Sequence, residues 1–448
     1  MIAGLYDWAV PPSSATDRPL AGIRIIECAT VLAGPYAGMV LADLGAEVIK
    51  IEPPDGDATR GWGPPWIGDP PGRTAAYFLS VNRNKRSIVL DLGTADGAEV
   101  LRRLLAGADG LIENFRSGGL ERLGFDDEEL QRLRPGLIHL AISGYGISGP
   151  EAAKPGYDFV AQAVGGLMSI TGAADASGGE PTKVGVAVSD VVTGLFGAIG
   201  VLGALIGRGA TLDAARAADA GRGTATAGTS ALGGAGHDRD RRPEAATRVD
   251  VSLLESTLAL LINQAQNAFA TGVSPGRRGN AHPNIVPYEL FATADRPIVV
   301  AVGSERQWPR FCEALGLPRL AVDERFTTNG GRVANREALR ELIATRLRND
   351  RAAVWLAAFD AADVPCGPVN DVLGAIESPQ SRARGMDLLV DHPVLGPIRQ
   401  VGSPMKLDGS AAPIDRPPPT LGEHTAEILG ELGYDAAAIE GLQRGGGT

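Results

Sequence analysis

One stretch of the chain, Lys183–Arg208, places a single carboxylate directly before a long apolar run. Residues 191–207 carry no charged side chain, and Asp190 stands immediately before them. A run of this length is at the lower limit for crossing a membrane, but its many glycines and its leading acid favour a buried core helix. We therefore expect a globular protein, without a membrane span, in which this helix is central.

Asp190 has two interpretations. An aspartate at the start of a helix usually caps it, because its side chain accepts from free N–H groups and favours the positive end of the helix dipole. A carboxylate at the mouth of an apolar pocket is also a nucleophile whose reactivity its surroundings can tune. Glycines recur at every third position beyond it, at Gly194, Gly197, Gly200 and Gly203. This spacing predicts a helix side that another element can approach closely, and both interpretations of Asp190 stay open.

Composition narrows the class of protein. The 448 residues are enough for two or three domains, and the net charge of −11 without a basic cluster argues against nucleic acid as a partner. The cysteines and histidines lack metal-ligand spacing, so we predict no metal site and no disulfide framework. The first 20 residues lack the pattern of a signal peptide, and we expect a cytoplasmic enzyme.

The region before residue 150 shows a regular α/β pattern. Ile23–Cys28 and Glu47–Ile51 are predicted strands on either side of a helix that opens at Gly34. The first turn lacks G-x-G-x-x-G, which disfavours a nicotinamide or flavin dinucleotide, although a Rossmann-like sheet is still expected. The Pro- and Gly-rich loop Glu52–Pro71 is of a kind that is more often functional than idle.

A second acid leads an apolar helix within the same predicted domain. Asp158 lies near the start of the helical stretch Pro155–Gly172, as Asp190 does in its own helix. Capping again explains one such acid, but two of them favour a functional site. From Gly209 to Thr247 the chain lacks large apolar residues, so we predict a surface insertion there.

These patterns divide the chain into six predicted segments. They are an N-terminal arm (1–20), the first part of a large Rossmann-like domain (21–208), a low-complexity insertion (209–247), a long helix and linker (248–285), a small α/β domain (286–407) and a C-terminal segment (408–448).

Ten stretches in the same order resemble the class III CoA-transferases, a family that includes formyl-CoA and carnitine CoA-transferases and is related to the α-methylacyl-CoA racemases. The stretches are AGPYAGMVLADLGAEVIKIEPPDGD, NRNKRSIVLDL, IENFRSGGLERLG, SGYGISGP, PGYDFVAQAVGGLMSITG, KVGVAVSDVVTG, VDVSLLES, GNAHPNIVPY, DVPCGPVND and LGEHTAEIL. The resemblance implies a Rossmann-like large domain to which the C-terminal segment (408–448) returns, a smaller α/β domain and an interlinked homodimer. It also implies coenzyme A as a co-substrate, with no tightly bound cofactor.

The resemblance also implies residue roles. Asp190 matches the catalytic aspartate, which would attack an acyl-CoA thioester and then carry coenzyme A to a carboxylic acid acceptor. The implied coenzyme A contacts are Val31, Ala33, Leu90, Asn114, Phe115 and Arg122. Basic residues of some relatives are replaced by Pro53 and Gly93, so Arg83 or Arg86 is a candidate to complete the phosphate and adenine pocket.

Other positions are implied in the acyl site. The stretch GNAHPNIVPY is similar to the carnitine and dicarboxylate branch of the family, and it is expected to cover the acyl group. The implied substrate contacts are Tyr157, Asp158, His282, Asn284 and Tyr288. For His282, a loop residue bonded to backbone is an equally open interpretation.

The sequence leaves two alternatives to a transferase, a racemase and a non-catalytic CoA-binding protein. The racemases have a histidine where this chain has Tyr157, and a phenol is a poor proton acceptor at neutral pH. Glu305 matches an acidic residue of the racemases and keeps that alternative open. A non-catalytic CoA-binding protein is disfavoured because Asp190 and its flanking residues are intact. The sequence leaves the donor and acceptor acids unspecified.

Overall fold

The computed structural model describes residues 18–70, 72–222 and 246–444. This part of the chain forms two compact units. The first unit comprises the described residues up to Gly165, Gly185–Leu261 and those from Gln380 onward, and the second comprises Gly166–Val184 and Ile262–Pro379.

A six-stranded parallel sheet forms the centre of the first unit. Across the sheet, the strands are Lys85–Val89, Glu47–Glu52, Arg24–Glu27, Gly110–Glu113, Ile138–Ser143 and Thr247–Ser252. Counted along the chain, this order is 3-2-1-4-5-6. The order reverses between the strands that begin at Arg24 and Gly110, and the loops after them leave opposite sides of the sheet.

Both faces of this sheet are buried, which is why its strands are continuous apolar runs. Ile26 and Ile49 contribute to the core on one face, together with the helix Ala95–Ala106. Their neighbours Ile25 and Val48 contribute to the core on the other face. The helices of the first unit are Ala33–Asp43, Ala76–Leu79, Ala95–Ala106, Gly119–Arg122, Asp127–Leu133, Asp158–Val164, Val188–Arg222, Leu253–Ala259, Thr425–Glu431 and Ala436–Arg444.

Side chains fix where several of these helices begin. The hydroxyl of Thr94 accepts from the N–H of Gly97, and the Asp126 carboxylate accepts from Glu129. Such caps satisfy N–H groups that lack partners inside the helix. Short antiparallel pairs complete the unit: Trp66–Ile67 with Thr74–Ala75, Asp387–His392 with Gly396–Val401, and Lys406–Leu407 with Ser410–Ala411.

The helix Val188–Arg222, called the Asp190 helix below, packs closely through its glycines. A Cβ added at Gly194 would lie 2.5 Å from the carbonyl oxygen of Ala33, and one at Gly200 would lie 2.5 Å from a methyl of Val249. The predicted close approach is therefore confirmed at these positions, whereas a Cβ at Gly203 would meet nothing.

Over Val188–Gly209 the Asp190 helix is long and apolar enough to cross a membrane, as core helices of soluble proteins also are. Its glycines contact the neighbouring helix and strand, but Ile199 and Ile206 are 61% and 72% exposed, so only one side of the helix belongs to the core of the first unit.

The second unit is built on a small antiparallel sheet. Its strands are Cys366–Pro368, Ile298–Ala301 and Tyr288–Phe291, in that order across the sheet. Trp308, Phe311 and Phe359 stack in its core. Its helices are Leu167–Ile170, Ile262–Thr271, Gln307–Ala314, Asn329–Ala334, Arg336–Leu347, Ala352–Ala361 and Val372–Ile376, and Pro379–Ala383 follows at its boundary.

The structure departs from the predicted segments in three places. The Asp190 helix continues to Arg222, well into the predicted insertion, and residues 223–245 of that insertion lie outside the described residues, as do residues 1–17 of the predicted arm. The second unit begins at Ile262 and includes Gly166–Val184. It ends at Pro379, because the following hairpin bonds to the first unit, where the Arg83 guanidinium donates to the carbonyl of Val401.

Candidate active site

A cavity of about 210 Å³ opens in the first unit at the carboxyl ends of three strands. Open α/β sheets bind ligands at this edge, where the strand order reverses. The loops after the strands that begin at Arg24, Gly110 and Ile138 form its walls. Its lining includes Thr30, Val31, Ala33, Asn114, Phe115, Lys154, Tyr157 and Asp190.

Asp190 lies partly buried in the first turn of its helix and lines this cavity. Within the described residues, no group donates a hydrogen bond to its carboxylate. Burial raises the pKa of Asp190 to about 7, and the negative charge of Asp158 adds to the rise. The cavity therefore contains a carboxylate that is more basic than an exposed aspartate.

Asp158 caps the Asp190 helix. Its Oδ1 accepts from the N–H of Ser189 at 2.8 Å, and its other oxygen accepts from Gln162 at 2.8 Å. The interpretation of Asp190 as the cap of its own helix is therefore wrong. Asp158 is a structural neighbour of Asp190 and is absent from the cavity lining.

Four of the implied coenzyme A contacts meet in one wall. Val31, Ala33, Asn114 and Phe115 all line the cavity. The Asn114 amide binds the backbone of Thr30 on both sides, accepting from its N–H at 3.0 Å and donating to its carbonyl at 2.8 Å. Loops after two neighbouring strands are thus held together.

The other implied coenzyme A contacts lie elsewhere. Leu90 is buried in the sheet core. The guanidinium of Arg86 pairs with Glu47 at 2.6 Å and with Glu431 at 2.7 Å, away from the cavity lining. These carboxylates hold Arg86, so the structure does not bring it to the predicted pocket. Arg122 lies over the turn that follows Phe115. A Cβ added at Gly118, in this turn, would lie 3.1 Å from the Nη1 atom of Arg122.

The implied acyl contacts fall into both units. Tyr157 lines the cavity with Asp190 and is 63% exposed. The second unit contains His282, Asn284 and Tyr288, which contact one another: the His282 ring accepts from the N–H of Asn284 at 3.1 Å and lies 5.1 Å from the ring of Tyr288. Their role in acyl binding stays a prediction.

Glu305 belongs to the second unit and has protein partners. Its carboxylate accepts from the N–H of Asn329 at 2.6 Å and pairs with Arg332 at 3.0 Å. These contacts stabilise the loop and explain the acidic residue without a proton-transfer role. Nor does any group of three or more His, Cys, Asp or Glu side chains within residues 18–70, 72–222 and 246–444 form a metal site.

Two further candidate residues were absent from the sequence prediction. Lys154 lines the cavity and is a cation within reach of an anionic ligand there. Tyr77 lies near the site: burial raises its pKa most, and the negative charges of Asp190 and Asp158 raise the pKa further. Its only sequence signal is its place after the long Pro- and Gly-rich loop, which does not distinguish it from other aromatic residues.

Comparisons with known proteins confirm the predicted family. The family described as CoA-transferase family III matches residues 20–220 and 214–425. The chain is 41% identical to the succinate–glutarate CoA-transferase of Agrobacterium fabrum, covering 92% of this chain and 96% of that protein, and 36% identical to the human succinyl-CoA:glutarate CoA-transferase, covering 98% and 92%.

A solved structure agrees as well. A CAIB/BAIF family protein from Brucella suis is 40% identical, with a TM-score of 0.75 over 93% of this chain and 99% of that one. The chain therefore belongs to family III of the CoA-transferases, enzymes that transfer coenzyme A from an acyl-CoA to a free carboxylic acid.

Proposed function

We propose that Asp190 is the nucleophile of this transfer. The observation that supports the proposal most strongly is a partly buried carboxylate with a pKa raised to about 7 in a cavity at the edge of a parallel sheet. A more basic carboxylate is a stronger nucleophile once ionised. Placing it at the positive end of a helix keeps its ionised form accessible near neutral pH.

The reaction proceeds in balanced steps. An Asp190 oxygen attacks the thioester carbonyl, the C–S bond breaks, and a mixed anhydride and the coenzyme A thiolate form. The thiolate attacks the aspartyl carbonyl, which releases the donor acid and leaves an aspartyl thioester. The acceptor carboxylate displaces the thiolate to form a second anhydride, and the thiolate then attacks the acceptor carbonyl. Acyl-CoA leaves and the Asp190 carboxylate is restored.

Coenzyme A binding is proposed at the wall that contains Val31, Ala33, Asn114 and Phe115. Ala33 is the first residue of a helix, and free N–H groups at such an end favour an anion. The 3-2-1-4-5-6 strand order supports a Rossmann-like description of this unit. Arg122 and Lys154 are the proposed phosphate partners.

Short dicarboxylic acids are the proposed acyl groups. The relatives named for succinate and glutarate match almost the whole chain, including both units. Tyr157 lines the cavity and is the proposed contact of the acyl chain within the first unit. His282, Asn284 and Tyr288 belong to the second unit, and their role as substrate contacts stays a prediction from the family resemblance.

A cytoplasmic homodimer is the proposed form of the enzyme. The helix Asp158–Val164 exposes Phe159 at 57% and Val164 at 55%, and the Asp190 helix exposes Ile199 at 61%. Large apolar side chains exposed on neighbouring helices are typical of an interface. Light scattering after gel filtration should give twice the chain mass of 46.3 kDa.

Trapping of the covalent intermediate tests the nucleophile. The purified protein is incubated with succinyl-CoA, glutaryl-CoA or acetyl-CoA, quenched with hydroxylamine and digested for peptide mass spectrometry. We expect a hydroxamate at Asp190 after the dicarboxylic esters and little after acetyl-CoA. A modified site elsewhere, or none with any ester, would contradict the proposal. Solvent deuterium entering the α-carbon of a 2-methylacyl-CoA would support a racemase instead.

Arg122 provides a second test of the proposed coenzyme A site. Arg122→Ala should raise KM for acyl-CoA about tenfold with a smaller effect on kcat, because a charge-assisted contact to phosphate is lost. The matched control is Arg132→Ala, since Arg132 is a surface arginine paired with Glu129. An unchanged KM in the Arg122 variant would place coenzyme A elsewhere.

A further inference from the structure

The backbone of one cavity wall is held in a strained conformation. Val31 has a φ of 71°, in the left-handed region that β-branched residues avoid. Such outliers persist only where surrounding contacts enforce them, and they concentrate at functional sites. The turn Thr30–Ala33, which contains Val31, lines the cavity and leads into the helix Ala33–Asp43.

Contacts from two sides hold this turn. The Asn114 amide binds the residue before Val31, as described above. The N–H of Val31 itself donates to the Asp57 carboxylate, at 3.3 and 3.4 Å from its two oxygens. Asp57 is therefore the side chain that bonds directly to the strained residue.

Asp57 is itself buried and held by several contacts. It is 1% exposed and caps the short 3₁₀-helix Ala58–Gly61 by accepting from the N–H of Thr59. Its own N–H donates to Glu52 at 3.0 Å. The Arg60 guanidinium binds the same Glu52 carboxylate through two nitrogens, at 2.7 and 2.8 Å. The Pro- and Gly-rich loop thus presents Asp57 in a fixed position.

Buried charges beneath the loop keep Asp57 ionised. Lys50 is fully buried and pairs with Asp57 at 3.0 Å and with Glu27 at 3.1 Å. Burial alone would raise the pKa of Asp57, but the charge of Lys50 and the hydrogen bonds from Thr59 lower it. The connected charges are Glu27, Glu52 and Asp57 against Lys50, Arg60 and Lys85. Three acids and three bases balance, so the cluster needs no further ion.

We propose that Asp57 is a positioning residue that holds the Val31 turn in the shape that receives coenzyme A. This inference rests on the proposed function, because it assigns that wall to coenzyme A. Without the Asp57 contact, Val31 relaxes to an ordinary backbone conformation and the first residues of the helix lose their place beside Asp190. Loss of the Asp57 contact therefore weakens coenzyme A binding, while Asp190 is unchanged.

Two substitutions of Asp57 test the proposal, because it predicts a change in KM that is larger than the change in kcat. Asp57→Asn keeps the Oδ1 that accepts from Thr59, but it puts an amide group, which donates, in place of the Oδ2 that accepts from Val31 at 3.3 Å and pairs with Lys50. Asp57→Glu keeps the charge and moves the carboxylate away from Val31, so it remains informative if the Asn variant does not fold. We expect KM for acyl-CoA and the dissociation constant of free coenzyme A to rise about tenfold in either variant, with kcat changed less.

Asp43→Asn is the matched control. Asp43 is 3% exposed and pairs with the buried Arg83 at 2.6 Å, but it has no contact with the Val31 turn among the described residues. It should lower the melting temperature without changing KM. If it raised KM as much as the Asp57 variants do, general destabilisation would explain both and the proposal would be overturned.

A rescue experiment isolates the backbone strain. Glycine adopts a φ near +70° readily, so Val31→Gly makes the required conformation available without Asp57. Asp57→Asn should then raise the dissociation constant of coenzyme A much less in the Val31→Gly background than in the wild-type background. Equal effects in both backgrounds would overturn the proposal.

The two proposals fail in different ways. If the wild-type protein bound no coenzyme A and formed no adduct at Asp190, the proposed function would fail. If the wild type bound coenzyme A and both Asp57 variants bound it equally well, only the role of Asp57 would fail.

Discussion

Asp190 and Asp57 are two carboxylates at one end of the same sheet, and their surroundings are opposite. Asp190 receives no hydrogen bond from the described residues, and burial raises its pKa to about 7. Asp57 is only 1% exposed, yet its contacts with Lys50 and Thr59 lower its pKa. Burial destabilises both charges, and only the second has partners that offset it.

The difference indicates how one fold assigns two tasks to one residue type. A carboxylate without partners is free to form a covalent bond, and an intramolecular hydrogen bond would have to break before it could react. A carboxylate with a full set of partners is a poor nucleophile and a good support for a backbone turn. Paired and unpaired acids in one site commonly have different chemical roles.

The largest expected effect is on kcat, which should fall in the Asp190 variant and not in the Asp57 variant. Asp190→Asn should lower kcat by at least about 10⁴-fold, because an amide cannot form the anhydride, as with other removed nucleophiles. Asp57→Asn should retain most of kcat. Steady-state kinetics with succinyl-CoA and glutarate measure both, and calorimetric titration with coenzyme A checks that the Asp190 variant still binds. Near-wild-type turnover by Asp190→Asn would refute the nucleophile.

Stability should change in opposite directions at pH 8. Asp190→Asn removes a charge whose burial is uncompensated, so we expect a gain of about 2–4 kcal/mol in the free energy of unfolding. Asp57→Asn removes one of the two carboxylates that pair with the buried Lys50 and leaves it to share Glu27 with Lys85, so we expect a loss of about 3–5 kcal/mol. Melting temperatures from calorimetry provide the comparison, with Asp43→Asn as the reference for a simple buried pair.

The pH dependence of these differences has a definite sign. The raised pKa of Asp190 contributes stability below about pH 4 that is lost as pH rises through 7, so the gain in Asp190→Asn should vanish near pH 4. The lowered pKa of Asp57 contributes stability that is present above its unfolded pKa of about 4 and lost in stronger acid. A gain in Asp190→Asn that was constant from pH 4 to 8 would contradict the assignment of the raised pKa.

The α/β pattern was predictable because apolar periodicity is a local property of the sequence. Ile23–Cys28 and Glu47–Ile51 were predicted as strands within a residue or two of Arg24–Glu27 and Glu47–Glu52. The extent of the Asp190 helix was not, because a segment without large apolar residues was interpreted as a loop. The alanines between Gly209 and Arg222 are strong helix formers and extend the helix without a core to bury.

The partners of the charged groups were not predictable from spacing. Asp158 caps a helix 31 residues further along the chain, and Arg86 pairs with a glutamate 345 residues away. An isolated basic cluster before a strand is compatible with phosphate, solvent or carboxylate, and only the tertiary fold decides among them. Asp190 was predicted to be the nucleophile because the whole motif around it resembles a family, while the carboxylate alone left a cap and a nucleophile both open.

The smallest expected effect concerns the influence of Asp158 on Asp190. Turnover requires ionised Asp190, so kcat/KM should rise with pH through an acid limb near pH 7. Asp158→Asn keeps an oxygen for the N–H of Ser189 but removes a negative charge that raises the pKa of Asp190. The acid limb should therefore move to lower pH, by roughly half a unit to one unit, while burial keeps it above the value of an exposed aspartate.

The control for this shift is Glu151→Gln. Glu151 lies directly before the cavity-lining residues 152–157 and pairs with Lys154. Its charge does not contribute to the raised pKa of Asp190. Its acid limb should match the wild type. If Asp158→Asn left the limb unmoved, its carboxylate would serve the helix as a cap alone, and burial would account for the whole difference between Asp190 and a paired acid such as Asp57.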